Sequence, residues 1–175
     1  RHPGRAALEE AVRLCREALA AHEFVDTHGV MAQMHSLTAD DETAAAHLER
    51  AVALGTKLRT LPWRNQADPA AAEELASRIE GWEYMLGLAR LNLGRHEEGF
   101  RGLEAWASRG ARTAGGSFAT EEERRQEVQQ MRNTLESMAQ TSPGVRCRFG
   151  VYLKPPPTDG DELSTGEARQ LPGSN

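Results

Sequence analysis

His28 and His35 lie two helical turns apart on a stripe shared with Phe24 and Met31. Imidazole is both the commonest metal ligand and the side chain that titrates near neutral pH. At 1.5 Å of rise per residue, seven residues separate their Cα atoms by ~10.5 Å. A single ion would therefore need His47 or a carboxylate from another helix, and Asp26 faces elsewhere. Metal-binding helices usually carry their ligands three or four residues apart, as in H-E-x-x-H. The histidines therefore read as packed or groove-lining side chains, and no metal ligand or cofactor is assigned.

Other chemistries fail on context. Gly110-Ala111-Arg112-Thr113-Ala114-Gly115-Gly116-Ser117 has the glycines of a phosphate-binding loop, but Gly116 stands in place of the lysine and no strand precedes it. Ser117 and Ser142 lack the G-x-S-x-G setting of an activated serine. Cys15 sits on an apolar helical stripe, where a thiol is inert, and Cys147 has arginines but no histidine beside it. Adjacent carboxylates such as Glu73-Glu74 and Glu97-Glu98 point in different directions and read as solvated faces. No catalytic residue is assigned, and the chain reads as non-enzymatic.

The elements that would position these residues are helical. Leu8, Val12, Cys15 and Leu19 pattern a first helix over 6–22, and the histidine stripe a second over 23–37. Thr38, Asp40, Asp41 and Glu42 make a turn and an acidic start for a third over 42–60, stopped by Pro62. Asp68-Pro69 opens a fourth over 69–93, where Leu75, Ile79, Trp82, Leu86, Ala89 and Leu93 recur at steps of three and four. Gly94 ends it, and a fifth over 95–109 turns Phe100, Leu103 and Trp106 inward. Thr120 and Glu123 form a capping box for a sixth, with a seam of Val128, Met131, Leu135 and Met138 while Glu121, Glu122, Arg124 and Arg125 face water.

Beyond Ser142-Pro143-Gly144 the period changes from helical to two. Val145, Cys147, Phe149, Val151 and Leu153 alternate with Arg146, Arg148, Gly150 and Tyr152, which reads as a strand with no evident partner for its backbone. Pro155-Pro156-Pro157 stiffens the chain, and residues 158–175 are too polar to fold alone. The arm either adds a strand to a neighbouring protein or lies back over its own helices.

Residues 82–106 resemble a tetratricopeptide repeat. Leu86-Gly87 stands where that family has a bulky residue followed by a small one, and Leu93-Gly94-Arg95-His96 resembles its turn. Gly99 stands at a small-residue contact and Leu103 at the large apolar position after it. Weaker echoes occur at Ala44, Leu48 and Ala51 and at Ala11, Cys15 and Ala18, offset by 33 residues and close to the family period of ~34. From Ala44 to Gly99 the offset is 55, which places an insertion near 60–75. Departures are Arg90 where an aromatic is expected, Trp106 where a small residue is, and the length of the fourth helix.

The expected fold is all-α, with about six helices stacked as antiparallel tetratricopeptide-like hairpins over 1–142 and an extended arm over 143–175. The resemblance implies binding of other protein subunits within a multi-protein complex. Candidate contacts are His28, Met31, His35 and the loop residue Trp63 in the groove. On the arm they are Val145, Arg146, Arg148, Phe149, Val151, Tyr152 and Lys154. A net charge of −5 argues against nucleic acid, and no apolar run approaches the ~20 residues of a membrane helix. Two distant cysteines suit a reducing intracellular compartment, whether cytoplasm or an organelle interior. Two alternatives differ in kind: a helical metal-binding enzyme or sensor using His28, His35 and His47, or a regulatory piece of a longer enzyme, since the chain opens on Arg1 rather than methionine.

Overall fold

The computed structural model describes residues 3–61, 68–109, 120–141 and 148–149. Six helices account for nearly all of them: α1 (Pro3–Ala21), α2 (Val25–Leu37), α3 (Asp41–Arg59), α4 (Pro69–Asn92), α5 (His96–Ser108) and α6 (Glu121–Thr141). The fold class is all-α, as the patterning implies. Trp63, Val145, Arg146, Val151, Tyr152 and Lys154 lie outside the described residues, as does the glycine-rich stretch 110–117.

Local chemistry sets the helix ends. The Asp40 carboxylate accepts from the Thr43 amide at 3.1 Å to start α3, and Asp68 accepts from Ala71 at 3.0 Å ahead of Pro69 to start α4. The capping box at α6 is reciprocal: Thr120 N–H donates to Glu123 at 2.7 Å and Glu123 N–H to the Thr120 hydroxyl at 3.3 Å. At the end of α4, Gly94 N–H donates to Leu91 and Arg95 N–H to Arg90, each at 2.9 Å, with Gly94 at φ 76°. The end of α2 closes the same way, Ala39 N–H on Ser36 at 3.2 Å and Asp40 N–H on His35 at 2.9 Å. There the left-handed position is held by an alanine, Ala39, at φ 62°.

Extensive helix packing runs between sequence neighbours from α2 to α5, with α6 on α5 and α1 on α2 less closely engaged. α4 is the shared wall. Trp82, Leu86 and Ala89 join Val25 and Ala32 of α2 and Leu48 and Ala51 of α3 in one core. Tyr84, Leu88 and Leu91, from the opposite side of α4, join Phe100, Leu103 and Trp106 of α5 and Val128 of α6 in a second. Burial on two sides leaves no residue of α4 exposed from Ile79 to Asn92. The stripe on α1, by contrast, is only half-buried.

The α4–α5 crossing depends on missing side chains. A Cβ at Gly87 would lie 2.6 Å from Cγ of Leu103, and one at Gly99 would lie 3.0 Å from the Gly87 carbonyl oxygen. At the corresponding places in the α2–α3 hairpin stand Ala32, Ala44 and Leu48, all fully buried.

One expectation fails on α6. Arg124 does not face water: its side chain is 4% exposed, 3.2 Å from the Glu80 carboxylate. Its guanidinium lies 4.5 Å from the Trp106 ring centroid and donates to the Trp106 carbonyl at 3.4 Å. The aromatic face and the ion pair together make the buried cation tolerable. Beside it, the Tyr84 hydroxyl donates to Glu127, so α6 is tied to α4 by polar side chains.

Candidate functional site

Two constellations bring together residues far apart in sequence. The first is the histidine cluster. The α2–α3 hairpin inserts His47 between His28 and His35, with ring centroids 5.2 Å and 5.8 Å away, the second pair nearly parallel at 15°. His28 Nδ1 and His47 Nδ1 are 2.9 Å apart, so one must carry a proton and the other must accept. His35 Nδ1 lies 3.0 Å from the Asp40 carboxylate that caps α3, which fixes its proton on Nδ1. His28 Nε2 faces Glu23 at 3.4 Å, and Glu23 is itself engaged by Arg50 at 2.6 Å.

The ring nitrogens that face one another already share a hydrogen bond, and the third is turned to a carboxylate. Among the described residues, no group of three His, Cys, Asp or Glu side chains is placed to hold a metal ion. Burial, then the neighbouring His28 and His35 and the more distant Arg16, push the His47 imidazole below the ordinary histidine range, with Asp40 opposing. His28, Met31 and His35 are 9%, 1% and 8% exposed. They are interior residues of the α2–α3 packing and present no open groove surface. Asp26 does face elsewhere, paired with Arg78 at 2.7 Å.

The second constellation involves the arm. Phe149 N–H donates to Asn92 Oδ1 at 2.6 Å, and Asn92 Nδ2 donates to the Phe149 carbonyl at 3.0 Å. In extended backbone, the N–H and C=O of one residue point the same way, as in a hydrogen-bonded pair of an antiparallel ladder. The carboxamide of Asn92, at the last position of α4, thus meets both the donor and the acceptor of one backbone residue, as a neighbouring strand would. The alternating pattern around Phe149 lacked an evident backbone partner in the sequence; a side chain 57 residues away supplies one.

Arg148 anchors the same segment on two other helices. Its Nη2 donates to the Ser36 carbonyl at the end of α2 at 2.9 Å and to Asp41 Oδ1 at the start of α3 at 3.1 Å. Asp41, only 13% exposed at its side chain, also lies 3.3 Å from Asn92 Nδ2. The cation therefore sits at the negative end of the α2 dipole beside a carboxylate. Phe149 is half-buried against the second core, in a notch that includes Met85, Leu88 and Ala89. Nothing in the sequence marks Ser36, Asp41 or Asn92 as contacts of the arm. A polar residue closing a helix is ordinary, and its partner is remote.

No protein-family model, curated protein or solved structure matches this chain. What the molecule does must be argued from its own geometry. A cleft of about 510 Å³ between α5 and α6 is lined by Phe100, Arg132 and Leu135. There Arg132 lies over the Phe100 ring at 4.2 Å and pairs with Glu104 at 2.5 Å, so its charge is already matched. Among the described residues no helix is long and apolar enough to cross a membrane.

Proposed function

We propose that this chain is a non-enzymatic protein–protein interaction module, a scaffold subunit of a larger assembly, with helices stacked as tetratricopeptide-like hairpins. The observation that carries this reading is an internal correspondence. Ala32, Ala39, Ala44 and Leu48 stand 55 residues before Gly87, Gly94, Gly99 and Leu103, so one offset relates four positions. In both hairpins small residues line the crossing, a fully buried leucine follows, and the same pair of backbone bonds closes the turn with a residue at positive φ. A unit used twice, each copy covering its neighbour, is the logic of repeat stacking, whose product is an extended binding surface.

Cross-linking mass spectrometry on the native source tests this reading. Cross-links from the helices or from the arm, including Lys57 or Lys154, to other proteins are expected. A monomer with internal cross-links only would contradict it.

A further inference from the structure

We propose that the notch formed by Ser36, Asp41 and Asn92 is a binding site for an extended peptide carrying arginine followed by a large apolar residue. Its resident occupant is Arg148-Phe149 of this chain, in competition with a segment of the same kind on a partner. The inference rests on the interaction-module reading and says where and how that module would recognise its ligand.

Each part of the notch reads a different property. Asn92 contacts both the N–H and the C=O of one residue, at 2.6 and 3.0 Å, which selects extended backbone whatever its side chain. Only one orientation of the carboxamide serves both contacts, and the 3.3 Å approach of Nδ2 to Asp41 favours that same orientation. The Ser36 carbonyl and Asp41 Oδ1, 2.9 and 3.1 Å from the same guanidinium nitrogen, select a cation. Two acceptors on one nitrogen call for a cationic donor with two N–H groups to give, which the arginine Nη2 supplies in the resident segment. The surface beside Leu88 and Ala89 then takes an apolar ring.

The contact is suited to exchange. Two backbone hydrogen bonds, a partly exposed ion pair and one half-buried ring hold the segment, and Arg148 keeps a third of its side chain in solvent. Tethering rather than intrinsic affinity keeps such a segment in place, because attachment supplies an effective concentration of order mM. A partner segment presented at many copies, or with a better apolar residue, would displace it.

Fluorescence anisotropy tests the site with a labelled synthetic peptide of the chain's own residues 144–153, carrying Cys147→Ser. Three full-length proteins are compared: the unaltered chain, an Arg148→Glu/Phe149→Ala double variant whose own segment cannot dock, and that double variant with Asn92→Ala added. The peptide is expected to bind the double variant about tenfold more tightly than the unaltered chain. Adding Asn92→Ala should remove that binding, and Asp41→Asn in its place should weaken it while leaving the helical melt unchanged. Equal binding with and without Asn92 would overturn the site, as would no binding to any variant. If the peptide fails while native cross-linking still finds protein partners, only this site is wrong. Failure of both experiments removes the interaction-module reading as well.

Discussion

Gly87→Ala adds one methyl group where α4 meets α5, and its effect can be worked out from neighbouring atoms. In a helix interior, alanine is more favourable than glycine by about 1 kcal/mol, so on propensity alone the change stabilises. Against that, the new Cβ would lie 2.6 Å from Cγ and 2.7 Å from Cδ2 of Leu103. Leu103 is fully buried and has nowhere to swing. Overpacking of this kind costs about 1–3 kcal/mol, leaving a net loss of about 1 kcal/mol. Gly81, on the same helix, has nothing within 4 Å of a built Cβ. Gly81→Ala should therefore gain about 0.5–1 kcal/mol. Gly99→Ala should be the worst of the three, since its 3.0 Å neighbour is backbone and cannot rotate away. Thermal melts followed by helical circular dichroism should separate Gly81→Ala from Gly87→Ala by roughly 3–8 °C, at about 2–4 °C per kcal/mol. If Gly87→Ala melts at or above Gly81→Ala, the close crossing of α4 and α5 is wrong.

Three further outcomes are expected. Ala39→Gly should stabilise the chain by about 1 kcal/mol in urea titration, because glycine occupies φ 62° without the Cβ strain an alanine bears there. Arg124→Met should cost about 3 kcal/mol by leaving the Glu80 carboxylate without its cation, and adding Glu80→Gln should recover part of that loss. Stability should be level above about pH 7 and fall as pH drops below 6.5, since His47 binds a proton less readily folded than unfolded and both Nδ1 atoms of the His28–His47 pair cannot carry hydrogen. The slope is at most about 1.4 kcal/mol per pH unit for one proton, and His47→Gln should flatten it. Below about pH 4 a second loss is expected as Asp40, held low chiefly by its hydrogen bonding with Thr43, takes up a proton.

What could be read from the sequence was local chemistry. Asp68-Pro69, Thr120 with Glu123, and Gly94 each declare a helix end within a few residues, and the structure uses all three. Arg124 shows how a correct periodicity can be overruled by residue type. The seam of Val128, Met131 and Leu135 extends back four residues to position 124, but a cation inside an acidic and basic run looks solvated. Only the Trp106 ring and Glu80, supplied by other helices, make its burial possible. The histidine stripe was visible, yet its depth was not, because burial depends on α3 delivering His47 against it. The alternation around Phe149 left its backbone groups without a partner in the sequence, and at Phe149 itself the structure supplies one. That the partner is the carboxamide of Asn92 depends on a crossing of 57 residues that no local pattern encodes.

The most direct test is amide hydrogen exchange at Phe149, measured by NMR on the full chain and on Asn92→Ala. If the helical face holds an extended segment through Asn92, the Phe149 amide exchanges well below the unprotected rate, and Asn92→Ala returns it to that rate without altering amides inside α4 and α5. A Phe149 amide that exchanges freely in the unaltered chain would contradict the account.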